Sequence, residues 1–135
     1  MDKIFVDTNI VIDLLSRREE FFKEAQDLFT AADKRKVKLY ISSLTFANTY
    51  YLLSRQFKAD EAKKILTRFK VLVEVLSLDD KILDLALASD FTDFEDAIQY
   101  YTAIENGLGS IITRNKKDFK LSKLPVFTAK EYLSR

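Results

Sequence analysis

Two rhythms of apolar residues alternate along the chain. Short, nearly continuous apolar runs at residues 3–6, 37–42, 71–76, 110–113 and 126–127 have the length and content of strands buried on both faces. Between them, apolar residues recur at helical spacing. Ile10, Val11, Leu14 and Leu15 mark a helix after the first strand, and Phe21, Phe22, Ala25, Leu28, Phe29 and Ala32 mark another over 20–32. Phe46, Tyr50 and Leu53 belong to a helix over 44–57, and a short connector implies that the next, 60–69, folds back against it. Ile82, Leu85 and Ala86 carry a short helix over 78–88, and Ala97, Tyr100, Tyr101 and Ile104 a longer one after Phe91. This alternation predicts an α/β fold: a single domain over residues 1–135, with a mainly parallel sheet of about five strands flanked by helices.

The boundaries carry their own signals. Thr92 with Glu95 has the spacing of a capping box, and Thr128 with Glu131 repeats it before a last helical turn. Asn106-Gly107 ends the helix after Phe91, because glycine takes the left-handed cap conformation without a Cβ penalty. Pro125 stands just before the final strand, where it disturbs sheet bonding least.

Composition removes many chemistries. The 135 residues include no cysteine and no histidine, which excludes disulfides, thiolate metal sites and Ser-His or Cys-His catalysis. Gly107 and Gly109 are the only glycines, so neither a dinucleotide fingerprint nor a P-loop can be assembled. With 22 basic and 21 acidic side chains the net charge is +1, so any grip on nucleic acid must come from a local patch. No apolar run approaches the roughly 20 residues of a membrane span. The N-terminus, MDKIFVD, reads directly as a strand and not as a signal peptide. A cytoplasmic protein without membrane association is expected.

What remains is the chemistry of carboxylates, amides, hydroxyls and cations. In an open parallel sheet, sites lie outside the carboxyl ends of the strands. Asp7 follows the first strand, Asn115 and Asp118 follow the strand at 110–113, and Asp93 and Asp96 open the helix leading into it. Each acid has a plainer reading: Asp7 as a helix N-cap, Asp93 and Asp96 as first-turn acids favoured by the helix dipole. Three regions distant in sequence converge on one end of one sheet, which favours a functional site. Gathered carboxylates suit a hard divalent cation, Mg2+ or Mn2+. Arg114, Lys116 and Lys117 flank the acids, either as contacts to an RNA backbone or as a solvated charged loop.

Three motifs resemble the PIN-domain family: V-D-T-N after the first strand, D-F-E-D-A opening a helix, and T-R-N-K-K-D-F after a strand. Their order and intervals match over nearly the whole chain. The resemblance implies a small α/β nuclease that hydrolyses RNA phosphodiester bonds with divalent metal, often as the toxin of a toxin–antitoxin pair. It gives Asp7, Asp96 and Asp118 the catalytic and metal-binding roles, with Asn9, Asp93, Thr113 and Asn115 as close supports. The implied partners are RNA, a cognate antitoxin and a second copy of the chain. Tyr40, Tyr50, Tyr51 and Phe57 offer aromatic surface for such a homodimer. One position departs. The family pattern has a glutamate on the helix after the second strand, where S-S-L-T-F-A-N-T-Y-Y carries Asn48. An amide hydrogen-bonds but is uncharged, so the site is one negative charge short.

Other aspartate-first families fit less well. A haloacid-dehalogenase-type enzyme needs a second acid two residues after the first, where this chain has Asn9. A response-regulator receiver needs an acid pair before the first helix and a lone aspartate after a central strand, which VLVEVLSLDD does not supply. The remaining alternative is a PIN-like module that binds RNA or protein without cutting, and Asn48 is the feature that favours it.

Overall fold

A computed structural model describes residues 1–135. Strands β1 (Lys3–Val6), β2 (Lys38–Ser42), β3 (Glu74–Leu76), β4 (Ser110–Ile112) and β5 (Val126–Phe127) form one wholly parallel sheet in the order β3-β2-β1-β4-β5. Seven helices flank it: α1 (Thr8–Leu15), α2 (Glu19–Asp33), α3 (Ser43–Gln56), α4 (Ala59–Phe69), α5 (Asp80–Leu87), α6 (Phe94–Glu105) and α7 (Ala129–Leu133). Successive side chains of a strand point to opposite faces, and β1 divides its residues accordingly. Ile4 and Val6 join Leu39, Ile41 and Ile112 in a core with Ile10 and Val11 of α1 and Ala25, Leu28 and Phe29 of α2. Phe5 joins Ile111 in a second core with Tyr100 and Ala103 of α6. Helices on both faces explain why the strands read as unbroken apolar runs.

The helix ends follow side-chain chemistry. Ser42 caps α3, Asp79 caps α5, and Thr128 with Glu131 forms the expected capping box on α7. Thr92 and Glu95 do not form one. The helix begins one residue later, and the Asp93 carboxylate accepts from the Asp96 N–H at 2.9 Å. Aspartate is the stronger N-cap, and its use here frees the Glu95 side chain from the helix end. Gly107, at φ 67°, closes α6 in the left-handed conformation that glycine favours.

Two further expectations change. The third apolar run is divided: only Glu74–Leu76 pairs with β2, while Lys70–Leu72 forms a 3-10 turn that prolongs α4 and leaves Val71 85% exposed. The aromatic surface is also smaller than the sequence suggests. Tyr50 and Phe57 pack against Leu53, Ala62 and Leu66 between α3 and α4, and Tyr40 packs on the second core, so only Tyr51 of the four is exposed. No helix is long and apolar enough to cross a membrane.

Candidate active site

The strand order reverses at β1. The chain leaves β1 toward β2 and β3, then returns on the other side of β1 as β4. Such a switch point opens a crevice at the carboxyl ends of the two strands. Val6 is in register with Ile112, so the next residues, Asp7 and Thr113, are neighbours. The Asp7 N–H donates to the Ile112 carbonyl at 2.9 Å. Its carboxylate is fixed at both oxygens: Oδ1 accepts from the Thr8 N–H and Oδ2 from the Thr113 hydroxyl, each at 2.8 Å. Asn9 braces the same corner, donating from Nδ2 to Thr113 Oγ1 at 3.4 Å and accepting the Arg114 N–H at 3.3 Å. Asn115 contributes through its backbone. Its N–H donates to Thr113 Oγ1 at 3.2 Å, and its carbonyl accepts from the Asp118 N–H at 3.1 Å, starting the 3-10 turn Lys116–Phe119 that carries Asp118.

Helix α6 leads into β4, so its first turn lies at the same end of the sheet. Asp96 there is half-buried, and with Asp93, Lys117 and Asp118 it lines an open cleft. Burial pushes Asp7 up to about 6; the Thr113 and Thr8 hydrogen bonds oppose this, while the charges of Glu95 and Asp118 add to it. Asp96 is pushed up to about 7, first by burial and then by the negative charges of Asp7, Asp93, Asp118 and Glu95. These acids therefore repel one another across the crevice. No three of them converge closely enough to enclose an ion unaided. A hard cation that keeps most of its waters needs only one or two direct carboxylates. Oxygen donors under mutual repulsion, which a divalent cation would relieve, fit such an ion.

The three flanking cations differ in circumstance. Arg114 donates from Nε to Asp13 Oδ2 at 2.9 Å and from Nη2 to Oδ1 at 3.3 Å, and its guanidinium stacks 4.1 Å from the Phe21 ring centre. Asp13 is only 1% exposed, so Arg114 neutralises a buried charge and ties the loop after β4 to α1. Lys116 pairs with Glu131 at 3.1 Å on the surface. Lys117 has no ion pair and borders the acids.

Beneath the acids lies a layer that sequence reasoning missed. Thr8 Oγ1 is 2.9 Å from Thr45 Oγ1 and accepts from Gln99 Nε2 at 2.8 Å, all three residues being buried. This chain joins α1, α3 and α6 directly under the site. Thr45 lies three residues before Asn48, and Gln99 three after Asp96, so helical spacing was the available signal. Asp13 and Glu95 were also missed. Asn48 itself, half-buried on α3, donates from Nδ2 to Glu95 Oε1 at 2.5 Å.

Known proteins share this architecture. A family model described as a PIN domain matches residues 3–117. Ribonuclease VapC1 from Aquifex aeolicus is 29% identical over 142 residues, covering 99% of this chain and 95% of that protein. Among solved structures, a chain of a toxin–antitoxin complex from Klebsiella pneumoniae superposes with a TM-score of 0.67 at 25% identity, over 93% of this chain and 97% of that one. VapBC2 from Rickettsia felis, bound to a promoter DNA fragment, contains a chain of the same fold: TM-score 0.69 at 19% identity, covering 92% of this chain and 96% of that one.

Proposed function

This chain belongs to the PIN-domain family, and from that membership we propose that it is a metal-dependent endoribonuclease acting as the toxin of a toxin–antitoxin pair. Asp7, Asp96 and Asp118 are its catalytic and metal-binding carboxylates, and Mg2+ or Mn2+ is the ion their oxygens suit. When bound, the ion supplies Lewis-acid activation of water and neutralises charge on the phosphodiester. The protein's own part begins with positioning. The Thr8 amide and the Thr113 hydroxyl hold the Asp7 carboxylate in one orientation, so little reorganisation is needed at the moment of reaction. Asp96, which lines the cleft with Asp118, is placed to accept a proton from the attacking water. Lys117, unpaired beside the acids, meets the RNA backbone as a flexible point charge.

The observation that carries this reading is a buried Asp7 carboxylate fixed at the sheet's switch point, within electrostatic reach of Asp96 and Asp118. Similarity to a protein named as a ribonuclease and to chains from toxin–antitoxin complexes supports RNA as substrate and an antitoxin as partner. A cytoplasmic location and a homodimer complete the proposal. Purified protein should cleave RNA with Mg2+ or Mn2+ and stop when the ion is chelated. Asp7→Asn should lower the rate by about 100-fold or more while the chain still folds, since asparagine also caps α1. Cleavage indifferent to chelation and to Asp7→Asn would contradict the mechanism. Absence of cleavage with either ion would favour a module that binds RNA or protein without cutting, for which the neutral Asn48 is the specific support.

A further inference from the structure

Helix α3 presents an amide where the family pattern has a glutamate, but a carboxylate lies against that amide. Asn48 Nδ2 donates to Glu95 Oε1 across 47 positions of sequence, bridging α3 and the first turn of α6. Hydrogen bonds to an ionised acceptor are short and strong, and this one holds a surface glutamate that would otherwise sample several rotamers. Glu95 has no cationic partner, and Asp93, not Glu95, serves the helix end. Its place is set by geometry: Glu95 directly precedes Asp96 on α6, and Asn48 lies three residues beyond Thr45 on α3. The Thr45 hydroxyl is 2.9 Å from that of Thr8, beside Asp7, so Asn48 and Glu95 span the two helices that border the acids. We propose that Glu95, oriented by Asn48, supplies the fourth carboxylate of the acid site, so that the charge missing from α3 is provided from α6. Asn48 is then a positioning residue and not a vestige of a lost ligand. The inference rests on the metal-dependent reading above and deepens it.

Calorimetric titration of Mn2+ into the full chain separates this from a plain tether between two helices. Glu95→Gln should weaken Mn2+ binding by about 10- to 100-fold, the range expected when a group that supports a metal site is lost. Asn48→Ala should cause a smaller loss, because the charge remains but its orientation does not. The exchange Asn48→Glu with Glu95→Gln returns the carboxylate to α3 with an amide donor facing it, and should restore affinity close to that of the unaltered protein. Thermal unfolding of each variant checks that it is folded. If Glu95→Gln lowers the unfolding temperature but leaves Mn2+ affinity unchanged, while Asp7→Asn abolishes binding, Glu95 is only a tether; this inference then falls and the nuclease reading stands. If the unaltered protein binds no Mn2+, both fall.

Discussion

Asp7 is the most deeply buried of the acids at the site. Burial removes it from water, and its carboxyl is held at about 6, above the ordinary 3.8. Asp96 is displaced in the same direction, with Glu95, Asp93 and Asp118 as the charged groups facing it besides Asp7. Between the ordinary and the raised value the folded state binds more protons than the unfolded one. Stability contributed by these acids is therefore fully present below about pH 4 and is lost as pH rises through about 6 to 7. With chelator present, the unfolding free energy should fall over that window. Asp7→Asn should flatten the profile and stabilise the metal-free protein at about pH 8 by about 1–3 kcal/mol. Urea unfolding across pH checks this, and an Asp7→Asn variant less stable than its parent at high pH would contradict it. The place of Asp7 at the end of β1 was legible in the sequence, as was its capping of α1, and only the convergence of other acids marked it as more than a cap. The Asn48–Glu95 hydrogen bond was not legible, because the two residues lie 47 positions apart and local spacing assigned Glu95 to a helix cap.

Among the elements, strand and helix order was legible from periodicity, since burial on both faces leaves strands with unbroken apolar runs. Local spacing failed where a competing choice was one residue away. Asp93 displaced Thr92 as the α6 cap, and the 70–72 segment continued α4 as a turn before joining the sheet. The contact between α1 and the loop after β4 was equally hidden, because Asp13 and Arg114 stand 101 positions apart. In sequence Arg114 reads either as an RNA contact or as part of a solvated charged loop; in the fold it is paired to a buried acid. Removing one partner of such a pair leaves an uncompensated buried charge. Arg114→Ala should therefore destabilise the protein by about 3 kcal/mol in denaturant unfolding. A variant of unchanged stability that has lost only RNA affinity would return Arg114 to the phosphate-binding role.

For the whole molecule, a sheet ordered β3-β2-β1-β4-β5 gathers Asp7, Asp96 and Asp118 from three distant segments, and their convergence could be inferred once the strands were recognised as parallel. The outer surface was less legible. Tyr40, Tyr50 and Phe57 are largely spent on packing, leaving Tyr51 at 69% and Leu87 at 71% exposure among the large apolar side chains offered to solvent. A homodimer is still expected, and sedimentation at roughly tens of micromolar, above a micromolar dissociation constant, should show it; a monomer alone would count against it. The central claim is that these carboxylates hold a divalent ion where strands β1 and β4 end. Manganese-soaked crystals test it most directly. An anomalous peak is expected roughly 2.0–2.3 Å from an Asp7 carboxylate oxygen, in the crevice shared with Asp96 and Asp118. No peak at manganese on the order of millimolar, with the three side chains facing apart, would contradict it.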